Sequence, residues 1–219
     1  MTDDTRKTAE PATAKAYRAL ERMIVTLELQ PGAVTTEGAL IDRLGLGRTP
    51  VREAIQRLAW EGLISVKPRA GLAVAPLDPG DWCRVVEARR GVEIVLARSA
   101  AKHASANDCE GLQSAAHSMH QAVLAGDVEA FLEADKLLDE EMAAMAANPF
   151  AVRLAGPLQT HSRRFWFRYQ RETGLARAAE RHVALLQAII GADMERAGQE
   201  AGRLMDLLAE LAETVSRDN

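Results

Sequence analysis

Apolar residues recur at helical spacing along almost the whole chain, and the one stretch where they stop doing so constrains the fold most. Leu63-Ile64-Ser65-Val66 and Leu72-Ala73-Val74-Ala75 are short strand-like runs around Lys67-Pro68-Arg69-Ala70-Gly71. They read as a β-hairpin with a basic tip. Three helices are expected before it. Ala12 to Leu29 carries Tyr17, Leu20, Ile24 and Leu27 at helical spacing, and Gln30-Pro31-Gly32 stops it. Thr36 offers an N-cap hydroxyl to a short helix, Glu37 to Leu44, with Ala39, Leu40 and Leu44 inward and Gly45 closing it. Beyond Leu46-Gly47, Arg48 and Thr49 precede Pro50, a residue suited to a first helical turn. A third helix then runs to about Glu61 before Gly62 ends it.

Asp78-Pro79-Gly80-Asp81 reads as a turn-rich linker in which Asp81 caps the next helix. From Trp82 onward only helical periods remain, broken at Asn107-Asp108, Gly126-Asp127, Asn148-Pro149, Gly174 and Gly191-Ala192-Asp193. About six helices follow from those breaks. Val128 to Ala147 and Ala178 to Ile190 (with Val183, Leu186 and Ile190) carry apolar stripes of the kind a bundle needs. The expected organisation is a polar tail (1–11), a winged helix-turn-helix of three helices plus a hairpin wing (12–77), a linker (78–81) and an all-α antiparallel bundle (82–219). The class is mainly α, and 219 residues suffice for two modest cores.

The formal charge of −4 hides an asymmetry. Residues 12–77 hold nine Lys and Arg against six Asp and Glu, a net +3, while residues 78–219 hold sixteen against twenty-two, a net −6. Any phosphate-seeking surface therefore belongs to the first third. With 47% hydrophobic and 26% charged residues the chain has the composition of a soluble globular protein. No apolar run approaches the roughly 18 to 20 residues of a membrane span, and Met1 to Glu10 hold no signal-peptide core, so a cytoplasmic protein is expected. Cys83 and Cys109 are too few and too far apart for a metal knuckle or a disulfide framework, and read as free thiols.

On a wheel of about 100° per residue, Val51, Ala54, Ile55 and Leu58 share one arc of the third helix and Thr49, Arg52 and Gln56 the other. Such a helix packs with one face and can read a major groove with the other. By itself this is also how an ordinary solvated helix looks. The order helix, short helix, Gly-containing turn, Arg-rich helix and basic-tipped hairpin is more specific. Gln30-Pro31-Gly32, the run Arg48-Thr49-Pro50-Val51-Arg52-Glu53-Ala54-Ile55-Gln56-Arg57-Leu58, Glu61-Gly62-Leu63-Ile64 and Arg69-Ala70-Gly71-Leu72-Ala73-Val74 resemble the signature of the GntR family of regulators. The resemblance implies DNA contacts by Arg48, Thr49 and Arg52, and places Gly71 in the wing turn. Gln56, Lys67 and Arg69 join them from position and charge. Gly38 stands where many members carry a basic residue.

The remainder resembles the FCD ligand-binding domain of the FadR subfamily, through Val86 to Glu93, Asp135 to Pro149, and Glu180-Arg181-His182 with Ala188, Ile189 and Asp193. Many members hold a divalent metal with an Asp and a His at i, i+4 and two later His. Here Asp135 and His182 match, but Asp139 stands at i+4 and Leu204 at the last position. Asp135, Asp139 and His182 are the metal candidates, and ordinary paired or solvated acids are the competing reading. Without a metal, positive charge for an anionic effector would come from Arg89, Arg90, His161, Arg164 and Arg168, so the expected pocket joins these to Asp135 and His182. The cluster Phe165-Trp166-Phe167-Arg168-Tyr169 is core, dimer interface or cavity lining. The implied function is a ligand-responsive, homodimeric regulator of a pseudo-palindromic double-stranded operator. It would be a repressor released by a small organic acid or related metabolite. A metal-dependent helical enzyme and a protein-interaction module are the alternatives; no catalytic motif is visible.

Overall fold

A computed structural model describes residues 10–67, 71–105, 109–170 and 174–218. The chain divides into two compact units, residues 1–77 and 78–219.

In the first unit, α1 (Ala12–Val25), α2 (Glu37–Leu44) and α3 (Arg48–Trp60) pack with strands β1 (Val34–Thr35), β2 (Ile64–Lys67) and β3 (Gly71–Val74). Thr36 Oγ1 accepts the Ala39 N–H at 3.1 Å, and Gly45 closes α2 in the left-handed conformation with φ 62°, so both boundary residues act as anticipated. The first helix ends four residues earlier than its apolar period indicated: Thr26 caps it and Leu27 turns the chain at φ 59°. On α2, Leu40 is buried and Ile41 and Leu44 half-buried, whereas Ala39 is exposed and not inward. An eight-residue helix with so few apolar side chains fixes its rotation by the largest of them. The first hairpin strand sits one residue later than read and the second one residue earlier, and a third strand joins them. The sheet order is β1-β3-β2, antiparallel throughout, with Val34 opposite Ala73, Ile64 opposite Val74 and Lys67 opposite Gly71. Leu20, Ile24, Leu40, Val51, Leu58 and Leu63 form the buried centre, each stabilising the unit by roughly 1.5–3 kcal/mol relative to exposure.

The second unit is built from α4 (Pro79–His103), α5 (Cys109–Ala125), α6 (Val128–Met145), α7 (Pro149–Tyr169), α8 (Leu175–Ile190) and α9 (Met194–Asp218). Residues 79–81 form the first turn of α4. Asp78 Oδ1 accepts the Gly80 N–H at 2.8 Å and Pro79 starts α4, so the cap falls on Asp78 and Asp81 lies in the first turn. Asp127, Asn148 and Asp193 cap α6, α7 and α9 in the same way. On α8 the buried stripe is Ala178, His182, Leu185, Leu186 and Ile189; Val183 faces outward and Ile190 is half-buried, so the helix is rotated from the phase expected. Trp82 is fully buried, its ring stacked between Phe165 at 5.9 Å and Tyr169 at 6.0 Å. Cys83 and Cys109 are free thiols.

Candidate functional site

The exposed face of α3 is set by what its other face must do. Val51, Ala54, Ile55 and Leu58 are buried in the three-helix core, which turns Arg48, Thr49, Arg52 and Gln56 to the exposed side. The remaining polar residues of the helix are engaged by α1. The Thr13 hydroxyl donates to Glu53 at 2.7 Å. The Tyr17 hydroxyl donates to Glu61 Oε2 at 2.8 Å, and Arg57 bonds Glu61 Oε1 at 2.9 Å while lying 3.8 Å over the Tyr17 ring. Burial, with Glu21 and Glu61 nearby, pushes the Tyr17 phenol well above its usual range, so it stays a donor. Gly47 caps α3 without a side-chain bond, so the first-turn N–H groups at this end have no partner within the helix and favour an anion.

Arg52 is held. Its Nε lies 3.2 Å from both Glu37 oxygens and its Nη2 3.0 Å from Oε1, across from α3 to the first turn of α2. Nothing in the sequence signalled this clamp, because the partners are fifteen residues apart on different helices. On the wing, Lys67 is exposed and sits opposite Gly71. Gly71 has φ +95°, and a Cβ there would lie 2.5 Å from the Thr35 carbonyl oxygen, so its task is to let β3 pass β1. Arg69, expected at the tip, lies outside the described residues.

In the bundle, a cavity with about 370 Å³ of atom-free space, its open mouth included, is lined by residues from five helices. Arg89 comes from α4; Phe131, Leu132 and Asp135 from α6; Ser162, Arg163 and Trp166 from α7; Ala178 and His182 from α8; and Leu204, Leu207 and Leu208 from α9. Of the anticipated pocket residues, Arg89, Asp135 and His182 are here. Arg90 instead pairs with Asp206 at 2.5 Å on the surface. His161 is half-buried, Arg164 is buried and Arg168 is exposed beside Tyr169, and none of the three lines this cavity. Sequence reasoning passed over Arg163, Ser162 and the apolar wall other than Trp166, which belongs to the aromatic cluster offered as core, dimer interface or cavity lining.

Part of the cavity wall belongs to a buried ionic network. Arg163 Nε donates to Asp135 Oδ2 at 2.6 Å, and its Nη2 to Asp139 Oδ2. Arg89 bonds Glu93 Oε1 at 2.6 Å and approaches Asp139 Oδ2 at 3.7 Å; Gln159 Nε2 donates to Glu93 at 2.9 Å. His182 faces Asp135 Oδ1 through Nε2 at 2.8 Å and the Ala178 carbonyl through Nδ1 at 2.8 Å. With an acceptor at each ring nitrogen, both nitrogens must donate, which defines an imidazolium. Burial opposes that charge, but the hydrogen bond and charge of Asp135 prevail and raise the His182 pKa. For Asp135, burial is likewise overcome, by Arg163 and His182, and the carboxyl is held well below its ordinary range. Asp139 goes the other way, to about 7: burial pushes it up, and Arg163 offsets only part of that while Asp135 and Glu93 add to it.

The donor set does not fit a divalent metal. Both Asp135 oxygens, both His182 nitrogens and one Asp139 oxygen are engaged within the protein, and Leu204 offers no ligand. Among the described residues no group of three or more His, Cys, Asp and Glu side chains converges on a cation position, so the expected trio of Asp135, Asp139 and His182 does not form one. No described helix is long and apolar enough to cross a membrane.

A head that buries one face of a helix and presents arginines on the other beside a small wing, joined to a helical unit with a lined cavity, is the build of a DNA-binding regulator. Residues 12–74 match the family profile "Bacterial regulatory proteins, gntR family", and residues 84–207 match that of the FCD domain. An HTH-type transcriptional regulator of Agrobacterium vitis, from the TAR-I ttuE-ttuC' intergenic region, is 30% identical over 163 residues, 65% of this chain and 93% of that one. The HTH-type transcriptional repressor RspR of Escherichia coli K12 is 30% identical over 126 residues, 58% of this chain and 55% of its own. Across the similar proteins, the share of the relative's length matched ranges from a third to 93%. The solved structure of E. coli McbR/YncC shares the fold, with TM-score 0.81 and 21% identity over 95% of this chain and 99% of that one. The chain belongs to the GntR family of bacterial regulatory proteins, in the FadR subfamily whose second domain is an FCD domain. It is a transcription regulator and not an enzyme.

Proposed function

We propose that this chain is a cytoplasmic, homodimeric repressor that grips a pseudo-palindromic operator through α3 and the wing and is released by a small organic acid. The observation that carries the reading is the division of α3, with an aliphatic face sealed in the head and Arg48, Thr49, Arg52 and Gln56 exposed together. Arg offers a bidentate fork to guanine O6 and N7, and Lys67 on the wing adds backbone charge. The sense of regulation draws on RspR, a named repressor. The acid is favoured because Arg89 and Arg163 border the cavity, where a ligand carboxylate would compete with Asp139 for guanidinium hydrogen bonds. The apolar wall of Phe131, Trp166 and Leu204 suits a ligand with a hydrophobic body.

The test uses the full chain and an operator selected from a pool of duplexes. Arg52→Ala should weaken operator binding by about ten- to a hundredfold at fixed salt and relax base preference at one position, since a good bidentate contact discriminates by roughly 1–3 kcal/mol. Unchanged affinity and selectivity would remove Arg52 from the reading face. A carboxylic acid that raises the melting temperature should also release the operator; acids that stabilise without releasing it would contradict the induction step.

A further inference from the structure

Asp135 and Asp139 lie one turn apart on α6, and His182 faces Asp135 from α8, a set of residue types that could serve a divalent ion if their lone pairs were available. They are spoken for. We propose that the guanidinium of Arg163 is the permanent cation of this bundle, holding the place between the Asp135 and Asp139 carboxylates that a metal would otherwise take, so that the bundle folds without metal.

Three observations carry the proposal. Arg163 sends two different nitrogens, Nε and Nη2, to two different carboxylates, so its planar fork spans the pair as a bridging ion would. Its side chain is 8% exposed, so this is an internal ion and not a surface arginine resting on acids. The buried cations Arg89, Arg163 and an imidazolium at His182 already match or exceed the anions Glu93, Asp135 and the partly ionised Asp139. A further +2 ion would leave that interior strongly cationic. Arginine keeps its proton at any physiological pH, so the cation cannot be removed by chelation or mild acid, unlike a bound metal. A ligand's polar end would therefore meet N–H donors instead of a metal's open coordination position. The inference rests on the bundle's own residues and stands or falls independently of what the cavity binds.

The experiment dialyses the full-length protein against EDTA, offers Zn²⁺ or Mn²⁺, and reads metal content by mass spectrometry and melting temperature. The wild type should retain far less than one ion per chain, and neither EDTA nor metal should move its melting point. Arg163→Met should melt about 10 °C lower, since a buried carboxylate pair has lost its partner, and should regain part of that loss with Mn²⁺ or Zn²⁺. Leu204→His, which adds a donor while leaving Arg163 in place, should still take up no metal. That variant and the wild type decide the matter even if Arg163→Met fails to fold. One tightly held ion per wild-type chain, stoichiometric uptake by Leu204→His, or Arg163→Met melting like the wild type would each overturn the proposal.

Discussion

Arg52 and Glu37 show how a side chain on the exposed face of a reading helix can still be committed. Three contacts of 3.0–3.2 Å tie the guanidinium to the carboxylate on α2, so in the proposed role Arg52 would meet a duplex already oriented, and would have to exchange or share that partner to reach a base. In the proposed docking the negative charge of Glu37 would stand beside the groove and oppose indiscriminate phosphate binding. Glu37→Gln removes the charge and keeps the shape. It should tighten binding to random-sequence duplex severalfold, steepen the log-log salt dependence by about 0.9, and reduce the preference for operator over random DNA; competition titrations that find both affinities unchanged would dismiss the clamp. At this scale legibility depended on whether a residue's neighbours along the chain settle which way it points. Arg48, Thr49 and Arg52 were readable because four aliphatic residues fix the rotation of α3. Arg163 was not. Along α7, Gln159, Ser162, Arg163 and Trp166 share one buried face while His161, Arg164 and Arg168 fall on roughly the opposite one, and because both faces carry polar residues and Arg164 is buried too, periodicity alone gives no phase. Arg89 and Arg90 pose the same choice, and the bundle buries only the first.

Elements were legible in proportion to their caps and their length. Thr36, Gly45, Asp127 and Asn148 mark boundaries because a hydroxyl, amide or carboxylate must satisfy open N–H groups and a glycine must turn left-handed. Val34–Thr35 carries no such mark. Two residues cannot show alternation, and the strand exists only because β3 passes close enough to pair with it. That close pass depends on Gly71. A methyl group there would meet the Thr35 carbonyl oxygen at 2.5 Å while forcing a non-glycine residue to φ +95°. Gly71→Ala should therefore cost about 2–3 kcal/mol of head stability or displace the wing from β1. Operator affinity should fall while the melting of the bundle stays in place. Differential scanning calorimetry together with operator titration checks this, and an unaltered head transition with wild-type affinity would show that β1 tolerates the displacement.

For the whole molecule, the charge asymmetry is the observation that ties sequence to action. A net +3 over residues 12–77 is small beside the charge density of a duplex, and the −6 of residues 78–219 is repelled by it. A single head with a handful of basic residues makes few phosphate contacts, and contacts in that number give weak binding at physiological salt. Tight binding then requires two heads acting together, where the second docks at the effective concentration set by the first. In the proposed homodimer, two-fold symmetry would place the half-sites a whole number of helical turns apart, about 10.5 bp each. Inserting about 5 bp between the half-sites turns one to the opposite face of the duplex and should reduce affinity nearly to that of a lone half-site. An insertion of one full turn should restore part of it only if the dimer can span the added length of about 35 Å. Light scattering should give twice the chain mass at the concentrations used. If the 5-bp insertion left affinity intact, the heads would bind independently, and a ligand in the bundle could not act on DNA by changing how one head is set against the other.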